Sequence, residues 1–365
     1  MQTIRDLLAR DLSQDIEEVT KVGQQDEQTV HNEIIEYVAT DSIKRQYLQV
    51  LTPISDGPSE PTEGVGVWVS GFFGSGKSSF VKNLGYILEN RPLLGRPAGE
   101  VFIERLRQQS PADPLVDRIA ERLDFIHSRF KSLVIMFDVQ IDLAAQRPQP
   151  VAELMYTMLL RELDYADDFD VAELEIALEA EGRLADFVRL CAEMFGDRVG
   201  KVSPAESVPR TLQGVSPEAY AIWQKRVRKG AERAPRVGAI LNRLDPATYP
   251  RPETWIEMTR ARADVTIRTL VERTFELTAR RRPGHGVVFI IDEVGAYVAR
   301  SVERIENLRA LVEHFGQESK VRVERRQAVA PVWVIVTSQE KLSEVVSAIG
   351  DKRVELARLN ERFKT

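Results

Sequence analysis

Lys77, Ser78, Asp292 and Glu293 are the side chains whose types and settings could do chemistry on a phosphate. Lys77 and Ser78 close the run Gly71-Phe72-Phe73-Gly74-Ser75-Gly76-Lys77-Ser78, which matches the phosphate-loop pattern G-x-x-x-x-G-K-[ST] at every fixed position. Gly71, Gly74 and Gly76 let the backbone curl without Cβ clashes, so the N–H groups there and at Ser75 can turn toward a polyphosphate. Lys77 would reach the β- and γ-phosphates of a nucleotide such as ATP. The Ser78 hydroxyl would bind Mg²⁺, and Ser79 belongs to the same nucleotide-binding set. Asp292 and Glu293 end the apolar run Val287-Val288-Phe289-Ile290-Ile291. There Asp292 would hold Mg²⁺, directly or through water, and Glu293 would polarise an attacking water as general base. An Asp-Glu pair favours hydrolysis of a nucleotide over transfer of its phosphate.

These residues need elements to place them. Gly66-Val67-Trp68-Val69-Ser70 reads as a short buried strand, and Phe80, Val81, Leu84, Ile87 and Leu88 after the loop fall at helical spacing. Strand, glycine loop and helix together aim a helix N-terminus at an anion. Leu133 to Asp138, Val287 to Ile291 and Pro331 to Val336 read as further buried strands. Strands separated by helices predict an α/β fold with a parallel sheet and helices on both faces. Ligands sit past the carboxyl ends of such strands. The polar residues that follow Val336 are therefore candidates too. Thr337 is the first choice to hydrogen-bond the γ-phosphate or the lytic water, then Gln339. Alternatively, Ser338 simply caps a helix carrying Leu342, Val345, Val346 and Ile349.

The 365-residue chain is 43% hydrophobic and 29% charged, an ordinary profile for a water-soluble protein of about two domains. It shows no apolar run of membrane-spanning length and no signal-peptide pattern at Met1 to Asp6, so a cytoplasmic protein with no membrane partner is expected. A single cysteine, Cys191, excludes an internal disulfide and reads as a buried small hydrophobe. Four scattered histidines predict no structural zinc. A net charge of −6 argues against a surface devoted to nucleic acid. Three basic clusters could still touch DNA, although each reads more simply as a solvated helix or loop. They are Lys225 to Lys229 (with Arg233 and Arg236), Arg280 to Arg282, and Lys320 to Arg326.

The predicted organisation is a helical lead over 1–63, a first part of a phosphate-loop core over 64–140, a mainly helical insertion over 141–284, and a second part of the core over 285–365. Within the lead, Ile4, Leu7 and Leu8 suggest a short helix, and Val30 to Leu51 a longer one broken near Thr40-Asp41-Ser42. The insertion carries helical spacing over 151–163, 171–179, 184–195, 217–228 and 255–279. The tail, Arg358-Leu359-Asn360-Glu361-Arg362-Phe363-Lys364-Thr365, reads as the polar end of a helix with no fifth strand after it. The chain is thus expected to be the N-terminal part of a longer protein, or a piece cut in mid-domain.

The stretch from Gly66 to Ser78 resembles the phosphate-loop region of the large ATPases of BREX phage-defence systems, the BrxC/PglY family. Ile4 to Asp11 and Val22 to Glu27 are similar to that family's N-terminus, and Leu359 to Phe363 to the segment after its sensor strand. The Asp-Glu strand is generic to AAA+ and related ATPases, and the insertion cannot be matched residue by residue. The resemblance implies a P-loop, AAA+-like, homo-oligomeric ATPase using ATP and Mg²⁺ in bacterial cytoplasm. Its partners would be a PglZ-type hydrolase, a BrxB-type small protein and a PglX-type adenine methyltransferase, with DNA met through the complex or through regions beyond this chain. It also implies the sensor 1 role for Thr337 and an arginine finger, supplied in trans, at Arg358 or Arg362, where salt-bridged surface arginines are the alternative. Three activities stay open: turnover that drives assembly or remodelling on DNA, a slow nucleotide-gated switch or scaffold, and a DNA-translocating motor.

Overall fold

A computed structural model describes residues 26–139, 150–196, 202–259, 265–298, 301–341 and 363–364. The chain enters through helices α1 (Glu27–Glu36) and α2 (Asp41–Asp56). The expected break between them lies at Thr40, whose hydroxyl accepts from the Ile43 N–H as the cap of α2. Strand β1 (Gly66–Ser70) leads through the glycine loop into α3 (Lys77–Glu89). The short strands β2 (Pro92–Leu93) and β3 (Arg96–Pro97) form a hairpin before α4 (Ala98–Gln109) and α5 (Pro114–Arg129), a stretch with no expected detail. Strand β4 (Lys131–Asp138) precedes the helical segment: α6 (Val151–Glu162), α7 (Phe169–Ala180), α8 (Leu184–Phe195), α9 (Pro217–Ile222) with a π turn at Trp223–Val227, α10 (Arg233–Leu244), α11 (Glu253–Thr259) and α12 (Ile267–Arg281). The helix expected over 255–279 is thus described as two, and α10 was not anticipated. Strand β5 (His285–Asp292), α13 (Val294–Val298), α14 (Val302–Glu324), β6 (Trp333–Ser338) and β7 (Phe363–Lys364) complete the described chain.

The main sheet is parallel throughout, in the order β4-β5-β6-β1-β7. From Val287 to Asp292 and from Trp333 to Ser338 every residue is buried, because both faces are covered by helices. Helices α6 and α12, at the two ends of the 141–284 segment, pack against β4 and β5 respectively, so the segment's ends belong to the sheet layer. The described part of the lead packs on the helices that follow β1. Tyr47 of α2 meets Phe80 of α3 with ring centroids 4.5 Å apart and Phe102 of α4 at 5.1 Å. Glu33 of α1 accepts from Lys82 at 2.5 Å and from the Tyr86 hydroxyl at 2.8 Å, both on α3.

The expectation of no fifth strand is corrected by β7, which pairs parallel with β1 in the register Gly66 with Phe363 and Val67 with Lys364. One side chain explains why it forms in so polar a tail. Phe363 is buried edge-on against Trp68, centroids 5.6 Å apart, and covers the outer edge of β1. The expected helices over Ile4 to Leu8 and over Leu342 to Ile349 lie outside the described residues, as do Arg358 and Arg362.

Candidate functional site

Strand register brings the predicted residues together. Ser70 lies level with Ser338, Val69 with Thr337, and Ile291 with Val336. The ends of β1, β6 and β5 are therefore flush, with β6 in the middle. The phosphate loop on one side and Asp292–Glu293 on the other flank the end of β6, as expected for a ligand held at the carboxyl edge of a parallel sheet.

The loop leaves β1 with the Gly71 N–H donating to the Ser338 carbonyl at 3.2 Å, which ties it to β6. Ser75 N–H donates to the Phe72 carbonyl at 3.1 Å and closes a tight turn. Gly74 and Gly76 adopt φ of 75° and 85°, the left-handed region that glycine enters without a Cβ penalty. Gly76 then caps α3 with no side chain, so the first N–H groups of the helix stay available to an anion. Lys77 is the first residue of α3. Its ammonium folds back over the loop and donates to the Phe72 carbonyl at 3.1 Å. A backbone carbonyl is a modest partner for a buried cation, and an anion in the loop would be a stronger one. Ser78 and Ser79 follow in the first turn, both half-buried, and the Ser79 carbonyl accepts from Asn83 Nδ2 at 2.9 Å. At the loop's tip Phe72 and Phe73 stand 86% and 89% exposed, an unusual placement for two aromatics.

The acidic pair is held from β6. Asp292 is only 3% exposed, and its Oδ1 accepts from the Thr337 hydroxyl and from the Glu293 N–H at 3.2 Å. The same Glu293 N–H donates to Thr337 Oγ1 at 2.9 Å. Three groups are thus locked in one ring, and both contacts on Asp292 fall on Oδ1. Glu293 takes φ of 59°, rare for a residue with a side chain and worth about 1–3 kcal/mol of local strain. That turn lets its N–H face Thr337 and carries its carboxylate out to Gln339, whose Nε2 donates to Glu293 Oε2 at 3.4 Å. Behind the pair, α13 lies so close to β6 that a Cβ on Gly295 would stand 1.9 Å from Ser338 Oγ.

These contacts redistribute the expected roles. Thr337 is fully buried, and its hydroxyl is committed to Asp292 and Glu293, so it orients the acidic pair from behind. Gln339, exposed and beside Glu293, is the polar side chain that faces outward from β6. Ser338 is buried, and its Oγ accepts from the Glu340 N–H at 3.1 Å. Among the described residues no cluster of three His, Cys, Asp or Glu side chains could hold a metal unaided. A Mg²⁺ here would take Ser78, Asp292 and the oxygens of a bound phosphate, which suits an ion that keeps few protein ligands.

Sequence reasoning missed the cavity beside the loop, about 970 Å³, walled by Ser79, Phe80 and Asn83 of α3 and by Ile43 and Gln46 of α2. The signal was present in the polar spacing Ser42, Gln46, Gln49, which gives α2 a hydrophilic face beside its apolar one. The basic clusters read differently once folded. Arg281 is buried against Glu179 at 2.9 Å and stacks 3.5 Å from the Tyr165 ring centroid, and Arg228 is buried against Glu175 at 3.1 Å. Cys191 is buried in α8, and burial pushes its thiol up to about 12. No helix among the described residues is long and apolar enough to cross a membrane. No protein-family model matches the chain, and no solved structure matches it.

Proposed function

We propose that this chain binds and hydrolyses ATP with Mg²⁺, as the AAA+-like P-loop core of a subunit in a BREX-type phage-defence complex. One observation carries the enzymatic part: β6 lies between β1 and β5, so the glycine loop and the Asp292–Glu293 pair share one sheet edge although they are far apart in sequence. In this reading the loop N–H groups and Lys77 hold the β- and γ-phosphates, and Ser78 and Asp292 hold Mg²⁺. Glu293 takes the proton of the attacking water, and Gln339 helps to place it. The Glu293 backbone turn, which carries the carboxylate out beside Gln339, supports this reading. The BREX assignment, with its PglZ-, BrxB- and PglX-type partners, a homo-oligomer and a bacterial cytoplasmic setting, rests on the loop context and terminal motifs.

The test is nucleotide-dependent stabilisation. Saturation to about a hundred times Kd adds about 2.7 kcal/mol to the folded state. ATP with Mg²⁺ should stabilise the parent chain by that order and leave Lys77→Ala unmoved. Equal stabilisation of the two would refute the phosphate-loop reading. Single-turnover hydrolysis, with and without DNA and partner proteins, then separates a remodelling ATPase from a slow switch and from a DNA-driven motor.

A further inference from the structure

We infer that Tyr297 is a positioning residue for hydrolysis: it ties the short helix behind Glu293 to the first turn of α6, so that the helical segment holds the general base in place. The inference deepens the ATPase reading proposed above and rests on it.

The Glu293 turn needs an anchor on both sides. A left-handed turn at a residue with a side chain persists only where its surroundings over-determine it. Toward the sheet, the ring of Asp292, Thr337 and the Glu293 N–H does so. On the far side comes α13, which has only five residues. A helix that short does not hold itself together in water, so its direction is set by what it packs on. Gly295 presses it onto β6. Tyr297, only 8% exposed, links it to the surrounding helices. Arg304 of α14 grips that residue twice: the guanidinium lies 4.3 Å from the ring centroid, and Nη1 donates to the Tyr297 carbonyl at 3.0 Å.

The phenol hydroxyl takes the Val151 N–H. Helix α6 explains why that N–H needs a partner. The helix starts at Val151 after Pro150, which offers no side-chain cap. The first N–H groups of a helix have no acceptor within it. Val151 is also buried, and a buried N–H is ordinarily paired. Tyr297, from an element far away in sequence, does the pairing. The topology gives this bond its reach. Helix α6 opens the helical segment and α12 closes it. Helix α12 hands the chain to the start of β5, and Tyr297 stands just past the end of the same strand. The segment therefore grips the acidic strand at both ends, and a shift of the segment reaches Glu293 directly.

The experiment compares full-chain Tyr297→Phe with the parent by calorimetric ATP–Mg²⁺ affinity, single-turnover hydrolysis, and amide hydrogen exchange without nucleotide. Phenylalanine keeps the ring under Arg304 and removes only the hydroxyl. ATP affinity should stay within about twofold while hydrolysis falls about tenfold, because a small misplacement of a reacting group costs that order or more. Exchange should quicken in α13 and in the first turn of α6. Val151→Pro removes the same bond from the other side, at a first helical position where proline fits. It should lose hydrolysis alike, and the double variant should lose no more than either alone. Should Val151→Pro fail to fold, the split between affinity and turnover in Tyr297→Phe decides. Parental hydrolysis in Tyr297→Phe would overturn the inference. So would an equal fall in affinity and hydrolysis, the mark of a merely structural contact, or losses that multiply in the double variant. A parent that does not hydrolyse ATP would bring down the proposed function and the positioning role with it, whereas quickened exchange in both helices would still show the joint.

Discussion

Replacing Thr337 with valine tests how the acidic pair is held. Valine keeps nearly the same volume in a fully buried position, so packing changes little and the hydroxyl is what is lost. Two bonds go with it: the donation to Asp292 Oδ1 and the acceptance from the Glu293 N–H at 2.9 Å. A hydrogen bond to a charged group contributes about 1.5–3 kcal/mol, and an unsatisfied buried partner costs a similar amount. The Glu293 N–H keeps its longer contact to Asp292 Oδ1 at 3.2 Å, which softens the loss. The expected destabilisation is about 2–3 kcal/mol. In a chain of 365 residues that shifts Tm by only about 2–4 °C, so urea unfolding is the sharper assay. Thr337→Ser keeps the hydroxyl and loses one methyl, for about 1 kcal/mol. The ordering is the diagnostic: valine worse than serine in stability, and valine with the weaker Mg²⁺-dependent ATP stabilisation. A valine variant within about 0.5 kcal/mol of the parent, or a serine variant worse than valine, would refute the idea that this hydroxyl positions Asp292.

Glu293→Gln keeps the side chain's shape but cannot accept a proton, so it should bind ATP like the parent and lose turnover; hydrolysis at the parental rate would place the base elsewhere. Gly295→Ala puts a Cβ against Ser338 Oγ at 1.9 Å and its backbone Cα at 3.1 Å, and should cost about 1–3 kcal/mol in urea unfolding by pushing α13 off β6. An alanine variant as stable as the parent would show that this close approach is not needed. His127 gives a pH signature. Burial holds its ring below the ordinary imidazole pKa, with Nε2 against the Ile87 carbonyl at 2.8 Å and Nδ1 against Asn90 Nδ2 at 3.1 Å. The Asn90 amide is fixed because its Oδ1 accepts from the Gly99 N–H, so a protonated Nδ1 would face a donor. The unfolded chain then binds the extra proton first, and this group's stabilisation, full above about pH 6.5, is lost as pH falls from there through the folded pKa. His127→Gln should flatten that part of the stability profile, and an unchanged slope in the variant would assign it to another group.

The strands and their chemistry were legible in the sequence because each buried strand of a parallel sheet is a short apolar run, and the reactive residues stand at its end. Lys77, Ser78, Asp292 and Glu293 could be named that way. Thr337 and Gln339 were also within reach, because the polar end of the 331–336 run is expected between the ends of the phosphate-loop strand and the Asp-Glu strand, and β6 does lie between β1 and β5. Not legible was the division between them, with the Thr337 hydroxyl on Asp292 and Gln339 facing outward. The α2 helix shows a related limit. Its apolar positions announced a helix, but its role as a cavity wall depends on Tyr47 docking on Phe80, a contact made across thirty-odd residues of chain. Strand β7 was missed because two residues carry no periodicity. It is secured by one aromatic contact, Phe363 on Trp68, which composition cannot reveal.

The basic clusters are the clearest case of charge whose meaning is set by tertiary partners. Arg280 and Arg281 end α12 and Arg282 follows; seen only in sequence the run could touch DNA but reads more simply as a solvated helix or loop. Folded, Arg280 bonds the Ile176 carbonyl at 3.1 Å and Arg281 the Leu163 carbonyl at 2.7 Å, while Arg282 reaches Asp164 at 3.4 Å. Arg281 and Glu179 are both almost fully buried, and removing one partner of such a pair leaves an uncompensated charge worth about 3–5 kcal/mol. In the second cluster Arg228 is buried in the same manner, and in the third Arg322 pairs with Glu318 and lies over the Phe275 ring. Lys225, Arg226, Lys229, Arg325 and Arg326 stay exposed, but Arg280 and Arg281 are not available to a phosphate backbone without dismantling the contacts between α7 and α12. Their position gives them another consequence. Helix α12 hands the chain directly to β5, the strand that ends in Asp292 and Glu293. The carbonyl and carboxylate bonds of Arg280, Arg281 and Arg282 therefore fix where that strand begins, and the helical segment and the acidic pair share one continuous, well-anchored piece of backbone.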